Sequence, residues 1–280
     1  MNLKKLDLGN RRGVITGAGQ GIGRAIAVEF GRRGGHLLLV GRQLVTLTET
    51  ARLVAVEGGT AEVLVADLTQ TGAVERISQA LESWEKVDLL VNNAGNVRAG
   101  RLELTSADDI RSMIDLNLTA PILLTQALIP LLRLGGIRLG GTERESIVLN
   151  IASGMALVGY PFYAVYAATK AGLSRFGEAL RRESVDTGVH VATAYPGATD
   201  TAMMASQTAG DELGWGRRPL DEVVTDLFAA LAAGEYEINT APENRRETQR
   251  LNITNPLAVD AALAPTLAAI ERAVRDHRSI

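Results

Sequence analysis

The 280-residue chain contains no cysteine, which excludes a disulfide framework, a thiol nucleophile and a thiolate metal site. Its three histidines, His36, His190 and His277, are scattered and make no ligand cluster, so no metal is expected. An excess of positive charge is missing too. With 29 basic and 32 acidic residues the formal net charge is -3, too little to neutralise a phosphate backbone, and nucleic acid is not an expected partner. The opening MNLKKLDLGNRRG lacks the apolar run of a secretory signal. The most apolar long stretch, APILLTQALIPLL, is interrupted by Thr125, Gln126 and Pro130, so no membrane span is expected. Asn117-Leu118-Thr119 and Asn252-Ile253-Thr254 match the glycosylation acceptor pattern, but without an export signal both are read as chance. These absences point to the cytoplasm and leave small molecules as partners.

What is present is a core-forming pattern. Hydrophobic residues make up 46% of the chain, enough for one large α/β domain or two small ones. Short β-branched or leucine-rich runs recur at 13–16, 36–40, 61–65, 87–91, 146–151 and 189–195. Amphipathic helix candidates fill the gaps at roughly 21–32, 44–57, 72–84, 107–133, 163–185, 219–233 and 256–276. Strands alternating with helices imply crossover units and a parallel sheet. Continuous apolar runs such as Leu37 to Val40 fit strands covered on both faces. The expectation is a three-layer α/β doubly wound parallel sheet, a Rossmann fold, in residues 1–240. A helical extension over 241–280 packs on the same domain. Gly135 to Glu145 (GGIRLGGTERE) reads as a surface loop.

The first strand runs into TGAGQGIG, whose Gly17, Gly19, Gly21 and Gly23, with Gln20 and Ile22, open a helix. Glycine allows a tight turn and close approach of backbone N–H groups to a pyrophosphate, and the helix N-terminus favours the anion. An acid that grips the ribose of NAD is expected about 20 residues further on. The chain has Val40-Gly41-Arg42 there. Arg42 offers a guanidinium for a 2′-phosphate, favouring NADP(H), with a solvated loop arginine as the alternative and NAD still possible. Asp67, followed by Leu68, is placed to accept a hydrogen bond from the adenine amino group or to cap the next helix.

Tyr166 and Lys170 in YAATK lie one helix turn apart. That spacing alone is most often a half-buried tyrosine beside a surface lysine. Taken with the ordered motifs TGAGQGIG, NNAG (92–95), Asn117 in LNLT, Ser153 in NIAS and YPGATDT (195–201), the chain resembles the short-chain dehydrogenase/reductase family, in its shorter, non-extended branch. Ser153 precedes Tyr166 by 13 residues and Asn92 precedes Asn117 by 25, as is typical of that family.

The resemblance implies an oxidoreductase in which Asn117, Ser153, Tyr166 and Lys170 are catalytic. Tyr166 is the general acid that protonates a carbonyl oxygen while hydride reaches carbon. A free tyrosine has a pKa of about 10, so a cation must favour the phenolate, and Lys170 is the candidate, assisted by the oxidised nicotinamide. Ser153 would hydrogen-bond the substrate oxygen, with a strand-end cap as its bland reading. Lys170 would hold the nicotinamide ribose and Asn117 a proton-relaying water. Asn92, Asn93, Ala94 and Gly95 would meet the ribose region, and Pro196, Gly197, Thr199 and Thr201 the nicotinamide side. The family usually has valine where Thr199 stands; a backbone contact there makes the change mild.

Beyond Thr201 the match thins. AMMASQTAGDELGWG reads as a flap, with Met203, Met204, Trp215, Met155, Leu157, Tyr160 and Val97 as apolar lining or core. No fixed arginine or lysine stands out for a carboxylate, so a neutral, lipophilic ketone or aldehyde is the expected substrate. EYEIN (235–239) leads to a polar stretch, NTAPENRRETQR, where the family's shorter branch commonly ends. The final helix could cover the sheet, the pocket or a neighbouring subunit. A homo-oligomer is expected, a dimer through 107–133 and 163–185 or a tetramer. The leading function is an NADPH-dependent carbonyl reductase; the alternatives are an NAD-dependent alcohol dehydrogenase and a non-catalytic nucleotide sensor.

Overall fold

The computed structural model describes residues 5–136, 145–210, 213 and 215–279. Its strands are β1 (Arg12–Thr16), β2 (His36–Gly41), β3 (Thr60–Val65), β4 (Leu89–Asn92), β5 (Ser146–Ile151), β6 (Val189–Tyr195) and β7 (Glu237–Asn239). They form one parallel sheet in the order β3-β2-β1-β4-β5-β6-β7. The helices between them are α1 (Gly21–Arg32), α2 (Leu44–Val56), α3 (Ala73–Ala80), α4 (Ala107–Ile114), α5 (Ala120–Gly135), α6 (Ala164–Glu183) and α7 (Leu220–Ala232). After β7 come α8 (Glu243–Thr254), α9 (Pro256–Leu263) and α10 (Leu267–Val274). This is the three-layer Rossmann architecture the alternation predicts.

The apolar run of β2 shows why both faces must be covered. Successive side chains on a strand point to opposite sides, so Leu37 and Leu39 face one way and Leu38 and Val40 the other. On the first side they join Ile15, Leu89 and Leu149 against Ile26 and Phe30 of α1 and Leu227 and Phe228 of α7. On the second they join Val14, Leu90 and Val148 against Ile77 of α3 and Leu124 and Leu128 of α5. Each such side chain contributes about 1.5–3 kcal/mol when fully buried. The edge strand β3 is different: Thr60, Glu62 and Val65 reach solvent, and the strand is only partly buried, Ala61 and Val63 against one cluster and Leu64 against the other.

Three helices depart from the sequence expectation. The stretch 107–133 becomes α4 and α5 joined by a π-helical turn, Asp115–Thr119. The wider turn swings Asn117 into full burial. By length and composition alone Ala107–Gly135 is apolar enough to cross a bilayer, but Leu124, Leu128 and Leu132 of its α5 half pack on the sheet. The stretch 72–84 contracts to α3, starting after Gly72 in the left-handed conformation. The stretch 256–276 breaks at Ala264–Thr266, where Pro265 cannot continue the hydrogen-bond ladder, so α9 and α10 are separate.

The polar segment after β7 is itself a helix, α8, capped by Pro242 and burying only Gln249. Val259 of α9 and Ile270 and Val274 of α10 join Tyr160, Tyr163 and Trp215 in a third apolar cluster. Of the expected loop Gly135 to Glu145, Gly135 closes α5, and residues 137–144 lie outside the described residues.

Candidate active site

In an open parallel sheet, ligands sit at the carboxyl ends of the strands where the strand order reverses. Here that point is between β1 and β4, and a cleft of about 490 Å³ opens there. Every residue named above for cofactor or catalysis lines it, except Gly23, Asn92 and Asn117. Met155, Tyr160, Met203, Met204, Trp215 and Val97 line it as well; Leu157 does not. Within the expected flap, Asp211, Glu212 and Gly214 lie outside the described residues.

The glycine-rich turn is shaped for a phosphate. Gly17 has φ +63°, and a Cβ there would stand 2.8 Å from Asn93 Nδ2. Gly23 faces inward rather than into the cleft, since a Cβ on it would lie 2.4 Å from the Gly17 carbonyl oxygen. Its absence of a side chain lets α1 begin directly against the turn. The start of α1 has no side-chain cap and no acid in its first turn. Those N–H groups face the cleft through Gly21 and Ile22, a donor set that fits a pyrophosphate. Across from it stands Thr201, whose methyl is 3.4 Å from the point a Gly21 Cβ would occupy.

The two asparagines after β4 divide the work differently from the sequence reading. Asn93 donates to the carbonyls of Thr16 at 2.9 Å and Gly17 at 3.2 Å, tying the β4 turn to the β1 turn. Asn92 is buried beneath it and donates to Thr125 Oγ1 at 3.0 Å and Asn150 Oδ1 at 2.9 Å. Asn92 therefore braces the strand ends and does not reach a ribose, because β4 alternation points it away from the cleft. Asp67 accepts hydrogen bonds from the Thr69 N–H and hydroxyl. The cap position of α3 belongs to Gly72, which removes the capping alternative for Asp67.

Ser153 lies two residues beyond β5 at the cap of a short 3-10 turn, Gly154–Ala156, and its hydroxyl accepts from the Met155 N–H at 3.2 Å. Tyr166 and Lys170 lie on the buried face of α6, both under 10% exposed. Burial pushes the Tyr166 phenol up to about 12, against a hydrogen bond with Ser153 that pulls the other way. Burial also lowers the Lys170 ammonium to about 8. Lys170 Nζ donates to the Ile151 carbonyl at 2.9 Å and stands 5.8 Å from the centre of the Tyr166 ring. Burial is thus the main cause acting on the Tyr166 phenol, and it favours the neutral form.

Asn117 is wholly buried. Its amide clamps the chain after NNAG, accepting from the Asn96 N–H at 2.8 Å and donating to the Asn96 carbonyl at 2.9 Å. It also donates to Thr169 Oγ1 at 3.2 Å. A Cβ added to Gly95 would sit 3.0 Å from Asn117 Oδ1 and 3.3 Å from Lys170 Nζ. The π turn therefore places Asn117 just behind the cleft wall, next to Lys170.

The far end of the cleft is aromatic. The Tyr163 and Tyr166 rings are 6.4 Å apart, Tyr163 and Trp215 5.5 Å, and Tyr160 and Trp215 5.4 Å. Sequence reasoning missed Tyr163, Arg245, Gln249, His277 and Ser279, all of which line the cleft. Arg245 overturns the expectation that no fixed cation is available there. It sits in a segment without apolar periodicity, so no sequence pattern marked its helix. Among the described residues no group of three or more acidic or histidine side chains could hold a metal.

Residues 12–212 match the family model for short chain dehydrogenases. The chain is 33% identical to human 17-beta-hydroxysteroid dehydrogenase type 3 over 194 residues, 68% of this chain and 59% of that protein's length. Among solved structures it is similar to the short-chain dehydrogenase from Sphingobium yanoikuyae in complex with NADPH, at 27% identity and a TM-score of 0.74, covering 89% of this chain and 95% of that one. It is also similar to the bulky-bulky ketone specific alcohol dehydrogenase from Comamonas testosteroni, at 25% identity and a TM-score of 0.71, covering 87% and 92%. The chain belongs to the short-chain dehydrogenase/reductase family of oxidoreductases, whose members bind nicotinamide dinucleotides.

Proposed function

We propose that this protein transfers hydride between NADP(H) and a carbonyl or secondary alcohol, and that its working direction is reduction of a lipophilic ketone or aldehyde. The observation that carries this reading is Tyr166, held protonated by burial beside Ser153 in an aromatic-walled cleft. A neutral phenol is the form a carbonyl reduction needs, because the oxygen of the product alkoxide must receive a proton. Ser153 Oγ stabilises the charge developing on that oxygen. Lys170, charged below about pH 8, holds the ribose hydroxyls and offsets that charge. Asn117 keeps the Gly95–Asn96 wall in place. Gly17 to Ile22 and the α1 N-terminus would take the pyrophosphate and Asp67 the adenine amino group; the bound dinucleotide supplies the hydride.

Preference for NADP(H) rests on Arg42 and its surroundings. Arg42 borders the adenosine side of the main cleft and also a second cavity of about 230 Å³ that Arg98 and Arg278 line. Arg98 is partly engaged with Asp109 at 3.4 Å. Three guanidinium groups around one cavity favour a 2′-phosphate over a bare 2′-hydroxyl. The NADPH complex of the Sphingobium relative and the bulky ketone named for the Comamonas enzyme support the same reading.

The test is NADPH oxidation by wild type and Tyr166→Phe against ketones, aldehydes, quinones, 3-oxoacyl thioesters and ketosteroids. Turnover should fall by about 10²–10⁴-fold in the variant while NADPH binding, read by fluorescence, persists. Arg42→Asp should shift the preference towards NADH, which separates this reading from an NAD-dependent alcohol dehydrogenase. Bound NADPH with no turnover on any compound would sink the reductase in favour of a nucleotide sensor.

A further inference from the structure

Helix α8 carries a cation into the substrate end of the cleft. It is docked there by two contacts. Pro242 lies beside Gly197, with Cδ 3.4 Å from the point a Gly197 Cβ would occupy. Gln249, 7% exposed, accepts from Asn239 Nδ2 at 2.7 Å and brings its own Nε2 to 3.3 Å from the point a Gly154 Cβ would occupy. Gly154 follows Ser153 directly. The first turn of α8 is thereby fixed over the turns that bear the reacting groups, and Arg245 sits in that turn.

Arg245 is held against two aromatic rings. Its guanidinium lies over Tyr160 with 4.7 Å to the ring centre and over Trp215 with 5.3 Å, and Nη1 donates to the Tyr160 hydroxyl. Among the described residues no carboxylate comes within ion-pair distance of it. Glu243, two positions away on the same helix, pairs with Arg250 instead. A guanidinium has five N–H donors in one plane; stacking fixes the plane, and a single hydroxyl takes one of them. Arg245 is half-buried and lines the same cleft as Tyr166. A partly desolvated cation without an acid is costly unless a ligand supplies the anion, and a planar fork of donors matches a carboxylate.

We infer that the substrate is an amphipathic oxo acid: a carbonyl compound whose apolar body lies on Tyr160, Tyr163 and Trp215 and whose carboxylate is held by Arg245. This rests on the reading of the Tyr166 end as a carbonyl-reducing site. It narrows the lipophilic ketone proposed above to one that carries an anionic terminus.

The test has a binding arm independent of turnover. Calorimetry with phenylbutyrate and with its methyl ester, on the NADP-saturated protein, should give at least about tenfold tighter binding of the acid to wild type. Arg245→Met should erase that difference without weakening the ester, and Arg245→Lys should keep part of it. Equal binding of acid and ester by wild type overturns the inference without any variant, so a misfolded mutant cannot shelter it. In the turnover arm, 3-benzoylpropionate and its methyl ester are compared as substrates with NADPH, and KM for the acid should be lower by a similar factor. If neither these ketones nor any compound of the panel above is reduced while Arg245-dependent acid binding persists, the anion site stands and the reductase reading fails. If both are reduced with equal KM, the reductase stands and the anion site fails.

Discussion

Tyr163 and His277 share a 2.6 Å hydrogen bond between the phenol oxygen and Nδ1, linking the cleft wall to the segment after α10. The other ring nitrogen of His277 lies 3.0 Å from the Met203 carbonyl. A carbonyl can only accept, so Nε2 carries the proton and Nδ1 accepts from Tyr163. His277 thus does its work as a neutral imidazole, and it is only 3% exposed.

That arrangement has a pH signature. Burial is the main cause holding the His277 imidazole below its ordinary value, with the Met203 carbonyl opposing it. A histidine whose folded-state pKa is depressed contributes stability that is complete above the unfolded value of about 6.5 and is lost as pH falls through the folded value. His190, also buried and also lowered, contributes in the same sense. Melting temperature should therefore fall from pH 7.5 to pH 5 in wild type. His277→Gln, which keeps a donor and an acceptor without a titrating ring, should flatten part of that slope and leave the His190 share. Parallel pH curves for the two proteins would show that His277 does not titrate with unfolding.

Asn117 should act on stability as well as on turnover. Replacing it with leucine leaves both the N–H and the carbonyl of Asn96 without their partner, at about 1–3 kcal/mol for each group. Urea unfolding should show a loss of roughly 2–6 kcal/mol with an unchanged slope. A loss well under about 1 kcal/mol would mean that water replaces the amide and that the wall after Gly95 does not depend on it.

Lys170 should set the alkaline edge of activity. Its ammonium, lowered to about 8 by burial, is present below that pH and lost above it, whereas Tyr166, near 12, stays protonated throughout. In the reduction direction kcat/KM for NADPH reports the groups of the free enzyme. It should be level on the acid side and fall with a single limb above about pH 8. A profile level to pH 10 would separate Lys170 ionisation from nucleotide capture.

The layers and the cleft were legible because they rest on local patterns. Leu37 to Val40 signals a strand covered on both faces, and Gly17 to Gly23 signals a turn opening a helix. Ser153, Tyr166 and Lys170 are readable because their spacing fixes their faces. The substrate end was not legible, for a physical reason. Arg245 lies on a helix with almost no buried apolar side, so hydrophobic periodicity could not find it. His277 and Ser279 are brought to the cleft by backbone pairing with residues 97 to 99, since Ala99 N–H donates to the His277 carbonyl and Ser279 N–H to the Val97 carbonyl. Such long-range pairing leaves no trace in adjacent sequence. The π turn at Asp115–Thr119 is likewise invisible to a 3.6-residue period.

Gly17 and Ser279 face the same cleft, and this has a consequence for synthesis. A ribosome delivers about 5–20 residues per second, so the glycine-rich turn and the other cleft turns through Thr201 emerge several seconds before Arg245, His277 and Arg278. During that interval the nascent chain presents the dinucleotide turns with the aromatic end still open. Dinucleotide capture can precede completion of the substrate wall, and early binding would then stabilise the half-built sheet by mass action.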